Sequence, residues 1–245
     1  LFRSIPEIEV STHLSKDIVT VYTNENSFQD VNMFYADSSF FKVFPRSLQT
    51  DTPGRIFPDV HGVWVSRSLA HKLFGNSDPL NRKFKLNEGW EFYICGVFED
   101  FPPNSHLKMD LLLSWKTLRY YLRYFNNSTG RLEDGDLFSI REQDSYSRSS
   151  LSGINLYTYV KIQKGSSPEK VLSKVPSAIK QCIAHYTEEG STINFIFQPI
   201  TRIHLFSHLK HEMFPNGNYF QVNAFAVIGI LILFISWFNF VSLTS

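Results

Sequence analysis

The chain has 245 residues and sets 24 Lys and Arg against 23 Asp and Glu, a net charge of +1. The scattered charges form no basic block, so nothing in the composition advertises a nucleic-acid surface and the charges read as ordinary solvated exterior. The length gives room for one large domain or two small ones, and 23 Phe with 11 Tyr favour strands and packed sheet faces.

Leu1 stands where a Met would open a complete chain, and Val241–Ser245 leave an apolar run unclosed, so both ends read as cuts in a longer protein. Asp17–Tyr22 alternates as a strand and runs into the turn-rich Thr23–Ser27. Asp37–Pro45 predicts a short capped helical turn that Pro45 stops. Gly62–Val65 predicts a buried strand. Ser66 then caps a helix carrying Leu69, Ala70, Leu73 and Phe74 on one face, ended by Gly75. Asn76–Pro79 is a turn, and the strands Lys83–Leu86 and Glu91–Phe98 flank the turn Asn87–Gly89.

Phe101–His106, with Pro102 and Pro103, fits no regular element, and Met109–Trp115 is apolar again. Asn126–Ser150 is polar and reads as a surface excursion or a partly disordered stretch. Leu156–Ile162 predicts a strand. Ser166 and Glu169 have capping-box spacing at the start of a helix with the stripe Val171, Leu172, Val175, Ile179, Cys182, Ile183 and Tyr186, kinked or divided at Pro176. A last strand is expected over Thr192–Phe197. Strands and helices together give an α+β arrangement.

No charged residue occurs from Met213 to Ser245. Phe220–Leu243 is long enough to cross a hydrocarbon core ~30 Å thick, which takes about 20 residues. A helix there satisfies its own backbone hydrogen bonds, and Asn239 would face neighbouring helices. The rival reading is a buried core helix, since Asn223, Ser236 and Asn239 interrupt the run. Its position at the C-terminal end excludes a secretory signal peptide. Orientation is not fixed by charge, because long preceding domains translocate largely regardless of it.

Cys95 and Cys182 are the two cysteines, far apart in sequence and in no metal or redox spacing. Cys95, inside Tyr93–Val97, reads as a buried thiol in preference to a disulfide partner. The densest set of potential ligands is His204, His208, His211 and Glu212. On one helix His204 and His208 would share a face, as zinc ligands do, but no strong cap starts a helix before them, and packing or surface exposure is the preferred reading. His13, His61, His71, His106 and His185 are scattered. There is no Gly-x-Ser-x-Gly elbow, Walker A loop, dinucleotide fingerprint or calcium loop. No catalytic residue, cofactor site or metal site is assigned, and the expected work is binding, moving or holding.

Several segments together resemble one family. Tyr35–Phe44 resembles the opening of the MacB-like periplasmic core domain in its Bacteroidetes form, and Val65–Lys83 and Gly96–Leu107 are similar to its next blocks. Gln198–Leu205 and Asn216–Asn218 follow in family order, and Trp237–Leu243 resembles the start of an FtsX-like permease domain. Leu48–Gly62 and Arg119–Ser150 depart from the pattern. The resemblance implies a fragment of an ABC transporter permease anchored in the bacterial cytoplasmic membrane. Residues 1–218 would lie outside that membrane, with residues 219–245 as a transmembrane helix. It implies two lobes, one of about 1–35 plus 150–218 and an inserted one of about 36–149. It also implies a dimer of permeases, identical or not, contact with membrane lipid, and ATP hydrolysis on a separate ATP-binding cassette subunit. The alternative is a membrane-anchored sensor or scaffold acting on a cell-envelope partner. A third reading, an extracytoplasmic enzyme, would need a convergent polar site such as one around His204, His208 and His211.

Overall fold

In the computed structural model, β1 (Ile8–Tyr22) and β2 (Ser27–Ala36) form an antiparallel hairpin, with Leu14 opposite Ala36 and Tyr22 opposite Ser27. The turn is closed where the Thr23 N–H donates to the Asn26 carbonyl at 2.8 Å. The structure describes residues 5–24, 26–87, 89–121, 156–178, 195–207, 209 and 212–244. The expected strand Asp17–Tyr22 is only the C-terminal half of β1. Its N-terminal half hides in sequence because polar Thr12 and Ser15 are buried there alongside Leu14. The Asp37 carboxylate satisfies this stretch, accepting from the Thr12 hydroxyl and the His13 N–H, both at 3.2 Å.

The chain divides into two compact units, Leu1–Phe101 with Lys108–Phe197, and Pro102–Leu107 with Gln198–Ser245. In the first unit, β1 continues through α1 (Phe40–Val43), β3 (Leu48–Gln49), β4 (Gly62–Ser66), α2 (Arg67–Phe74), β5 (Lys83–Leu86), β6 (Trp90–Phe98), β7 (Leu111–Ser114), β8 (Tyr157–Ile162) and α3 (Pro168–Ala178). The strand pairings close on themselves: β1 to β2, β2 to β7, β7 to β4, β4 to β6, β6 to β5, and β5 back to β1. Two of these pairs, β2–β7 and β4–β6, are parallel. β3 adds to β6, and β8 adds antiparallel to the N-terminal half of β1.

Burial on both faces explains the composition of the inner strands. Every residue of β4 and β7 is buried, so they read as continuous apolar runs without alternation. One core layer joins Val63, Val65, Ile94, Val97, Leu111 and Leu113 to Leu69 and Ala70 of α2. An aromatic layer sets Phe41 edge-on to Trp64 at 5.1 Å and Phe40 tilted against Phe44 at 5.2 Å. A smaller core gathers Ile5, Val171 and Val175, with Phe195 and Phe197 packed against it.

The caps follow from the sequence at most points. The Ser66 hydroxyl accepts from the Leu69 N–H at 3.2 Å, and Gly75, at φ 60°, ends α2. The helical turn α1 is held by Asp37, whose carboxylate accepts from the Ser39 N–H at 2.8 Å. At α3 the cap sits one residue later than expected: Ser167 accepts from the Lys170 N–H at 3.4 Å and also bonds Glu169. The helix carries Pro176 within its span. The expected strand Thr192–Phe197 is corrected over its described part: 195–197 pair with no strand among the described residues, and Phe195 and Phe197 turn to the small core instead. Cys95 is a buried free thiol, and burial pushes it up to about 12. Cys182, Asn126–Ser150 and the stripe beyond Ala178 lie outside the described residues. The fold is α+β, as expected.

Candidate functional site: the segment entering the apolar helix

The second unit is built on α4 (Ile200–Phe206) and α5 (Tyr219–Thr244), together with Pro102–Leu107. Pro199 sets the chain into α4, and the helix ends as Ser207 turns extended, at φ −90° and ψ 131°. Ser207 is only 3% exposed. Its hydroxyl lies 3.1 Å from the Gln198 side-chain oxygen and also bonds the Glu212 carboxylate. That carboxylate accepts again from the Leu209 N–H at 2.7 Å and from the Asn216 side-chain amide. Glu212 is thus the common acceptor that ties residues 207, 209 and 216 together.

Two further links carry this knot into α5. The Gly217 N–H donates to the His204 carbonyl at 2.8 Å, and a Cβ at Gly217 would come within 3.0 Å of Leu205 Cδ2. A side chain at 217 would therefore require the Leu205 side chain to give by a few tenths of an ångström. The Asn218 side chain then accepts from the Phe220 N–H at 2.8 Å, and its carbonyl accepts from the Val222 N–H at 3.1 Å, starting α5. The Phe206 and Tyr219 rings stack at 4.8 Å, and the Arg202 guanidinium lies 5.3 Å from the Phe206 ring centre. Tyr219–Leu243 is long and apolar enough to cross a membrane, and no part of it is buried within the protein.

Pro102–Leu107 joins this unit through the β6–β7 connection. The Ser105 N–H donates to the Pro102 carbonyl at 2.8 Å, and the Ser105 hydroxyl accepts from the Leu107 N–H at 3.1 Å. His106 is 7% exposed. Burial pushes its imidazole down to about 4, the neighbouring His204 adds to the shift, and the Glu212 charge opposes it.

Of the metal-like set, His204 and Glu212 lie among the described residues. His204 lies in α4, which ends at Phe206. His208, His211 and His185 lie outside the described residues. Among the described residues no three His, Cys, Asp or Glu side chains are placed so that they could hold a metal ion together. His13 bonds the Thr158 hydroxyl at 2.9 Å, and His61 lies against Phe92, Tyr120 and Tyr121. Ser207, Gln198 and Asn216 were not singled out by type or spacing. The one local signal for them is the turn sequence Asn216-Gly217-Asn218.

A folded α+β unit and a second unit ending in a membrane-length apolar helix define a membrane-anchored protein with an extramembrane domain. Residues 1–178 match the MacB-like periplasmic core domain, and the chain belongs to that family, the periplasmic domain of ABC-type permeases. Permeases of this family work with an ABC ATPase partner. Among solved structures it is similar to a domain of a protein described as a permease from Porphyromonas gingivalis, at 20% identity, covering 73% of this chain and 72% of that one with a TM-score of 0.55. The periplasmic region of MacB from Actinobacillus actinomycetemcomitans aligns at 17% identity over 76% of this chain and 78% of that one, TM-score 0.48. The extracellular domain of the noncanonic ABC-type transporter YknZ from Gram-positive bacteria aligns at 14% identity over 76% and 80%, TM-score 0.49. No curated protein matches the chain.

Proposed function

We propose that this chain is the extracytoplasmic domain and following membrane helix of a non-catalytic permease subunit, with ATP hydrolysed on a separate cytoplasmic subunit. Residues 1–218 lie outside the bacterial inner membrane, and Trp237–Leu243 begins an FtsX-like permease domain. The permease works as a dimer, identical or mixed. Nucleotide-driven closure in the cytoplasm biases the dimer between two states and displaces α5, and the outer domain moves with it to export or extract a substrate. A division into a lobe of about 1–35 plus 150–218 and an inserted lobe of about 36–149 belongs to this reading. Its support is the separate small core around Ile5, Val171 and Val175.

The observation that carries the proposal is the knot at Glu212, in a chain of this family. Ser207, Leu209 and Asn216 are bound to one carboxylate, and Gly217 is bound to α4. Movement of α5 therefore meets little slack before reaching α4. The test is purification of the full-length protein from native membranes in mild detergent. A stoichiometric ATP-binding subunit with ATPase activity is the expected result. Recovery without any ATPase, repeated after crosslinking, would overturn the proposal and leave the anchored sensor or scaffold.

A further inference from the structure

We infer that α4 and the turn after it form a lipid-facing collar, lying in the interface of the outer leaflet beside the entry point of α5. This rests on the reading that α5 spans the membrane. Ile200, Phe206 and Leu209 are 41%, 43% and 62% exposed, within one short stretch of chain. Ile200, Ile203 and Phe206 recur at intervals of three along α4, so they wind down one side of it. In the first unit the exposed large apolar residues are isolated ones: Ile18, Leu48, Tyr120 and Ile196, among the described residues. Isolated apolar residues need no partner, whereas a cluster beside a membrane helix does.

The depth of the collar is fixed by contact. Tyr219 is the first residue of the apolar span, and Phe206 stacks on it at 4.8 Å. Wherever Tyr219 sits along the membrane normal, the end of α4 sits within a few ångströms of the same level. Aromatic rings with a polar edge prefer the headgroup boundary, and Tyr219 marks such a boundary at the start of an uncharged helix. Arg202, exposed and held 5.3 Å from the Phe206 ring centre, places a guanidinium where lipid phosphates lie. An apolar flank, a cation and an aromatic pair at one level match the chemistry of a phospholipid interface. They suit it better than a water-exposed protein surface.

The test uses the full-length protein in nanodiscs of phosphatidylcholine and phosphatidylglycerol. The acyl chains are brominated either close to the headgroup or close to the chain end, and tryptophan quenching is read. Native Trp237 reports on the span itself, from the difference between the parent and Trp237→Phe. In the Trp237→Phe background, Phe206→Trp and, separately, Leu209→Trp report on the collar. Tryptophan keeps an aromatic ring at 206, and either probe suffices if the other variant folds poorly. The expected result is severalfold stronger quenching of the collar probes by shallow bromines than by deep ones, with Trp237 also quenched. Quenched Trp237 with unquenched collar probes overturns the collar alone, and blue-shifted emission would then assign the face to a protein partner. Unquenched Trp237 overturns the membrane-span reading and the collar with it.

Discussion

Gly96 lies against the ring of Trp64, and a Cβ placed there would stand 2.5 Å from Trp64 Cζ3 and 2.6 Å from Cε3. Trp64 is fully buried and its indole N–H is bound to the Ile56 carbonyl, so the ring has no room to retreat. Gly96→Ala should cost about 1–3 kcal/mol, as overpacking of a filled core does. Denaturant unfolding measures it, and in Gly96→Ala/Trp64→Phe the two losses should fall short of their sum because the clash is gone. A different residue-scale effect belongs to Glu7, where the Lys174 ammonium holds the carboxyl down to about 2 against an ordinary value of 4.5. Because the folded state binds its proton later than the unfolded chain, this contribution is complete above about 4.5 and is lost as pH falls toward 2. Lys174→Met should flatten the acid limb of the stability profile measured by thermal unfolding.

At the scale of elements, the knot before α5 depends on one acceptor. Glu212→Ala leaves the buried Ser207 hydroxyl, the Leu209 N–H and the Asn216 amide without that carboxylate, at a cost of about 1–3 kcal/mol for unmade buried bonds. Hydrogen exchange should quicken at Leu209 and Gly217 while β4 and β6 keep their protection. His106, in the same unit, adds a pH dependence of the same sign as that of Glu7. Its imidazole is held at about 4 in place of 6.5, so between those values the unfolded chain binds the extra proton and stability falls as pH drops. The loss is at most about 3 kcal/mol, and His106→Gln should remove it from a thermal unfolding series across that range. Elements whose signal is local were legible: β4 from its apolar run, α2 from Ser66 and Gly75, the β5–β6 hairpin from its turn. The first half of β1 was not, because Thr12 is paid for by a distant Asp37. The knot was not legible either, since its bonds depend on how α4 ends, and nothing in Ser207 itself announces an extended cap.

For the molecule as a whole, β1 is the strand that both halves of the sheet share. Leu14 faces Ala36 of β2 along one edge and Tyr157 of β8 along the other, while Val21 faces Phe28 of β2 and Leu86 of β5. Leu14 is fully buried, so Leu14→Ala should cost about 2–5 kcal/mol. Because its neighbours lie on both edges, hydrogen exchange should rise in β2 and β8 together, and a rise in one alone would show that the sheet does not unfold as a unit. The family was legible from ordered blocks spread along the chain. The closed ring of pairings was not, since adjacency of β2 to β7 and of β4 to β6 joins strands far apart in sequence.

The chain crosses between its two units three times, at Phe101–Pro102, Leu107–Lys108 and Phe197–Gln198. A tether with a single crossing would deliver every tug on the membrane helix to one peptide bond and peel the first unit open from one end. Here two of the crossings lie on the connection between β6 and β7, strands inside the closed ring. Tension reaching Pro102–Leu107 would be split between two strands, each paired on both of its edges, so neither could be pulled away without breaking two ladders at once.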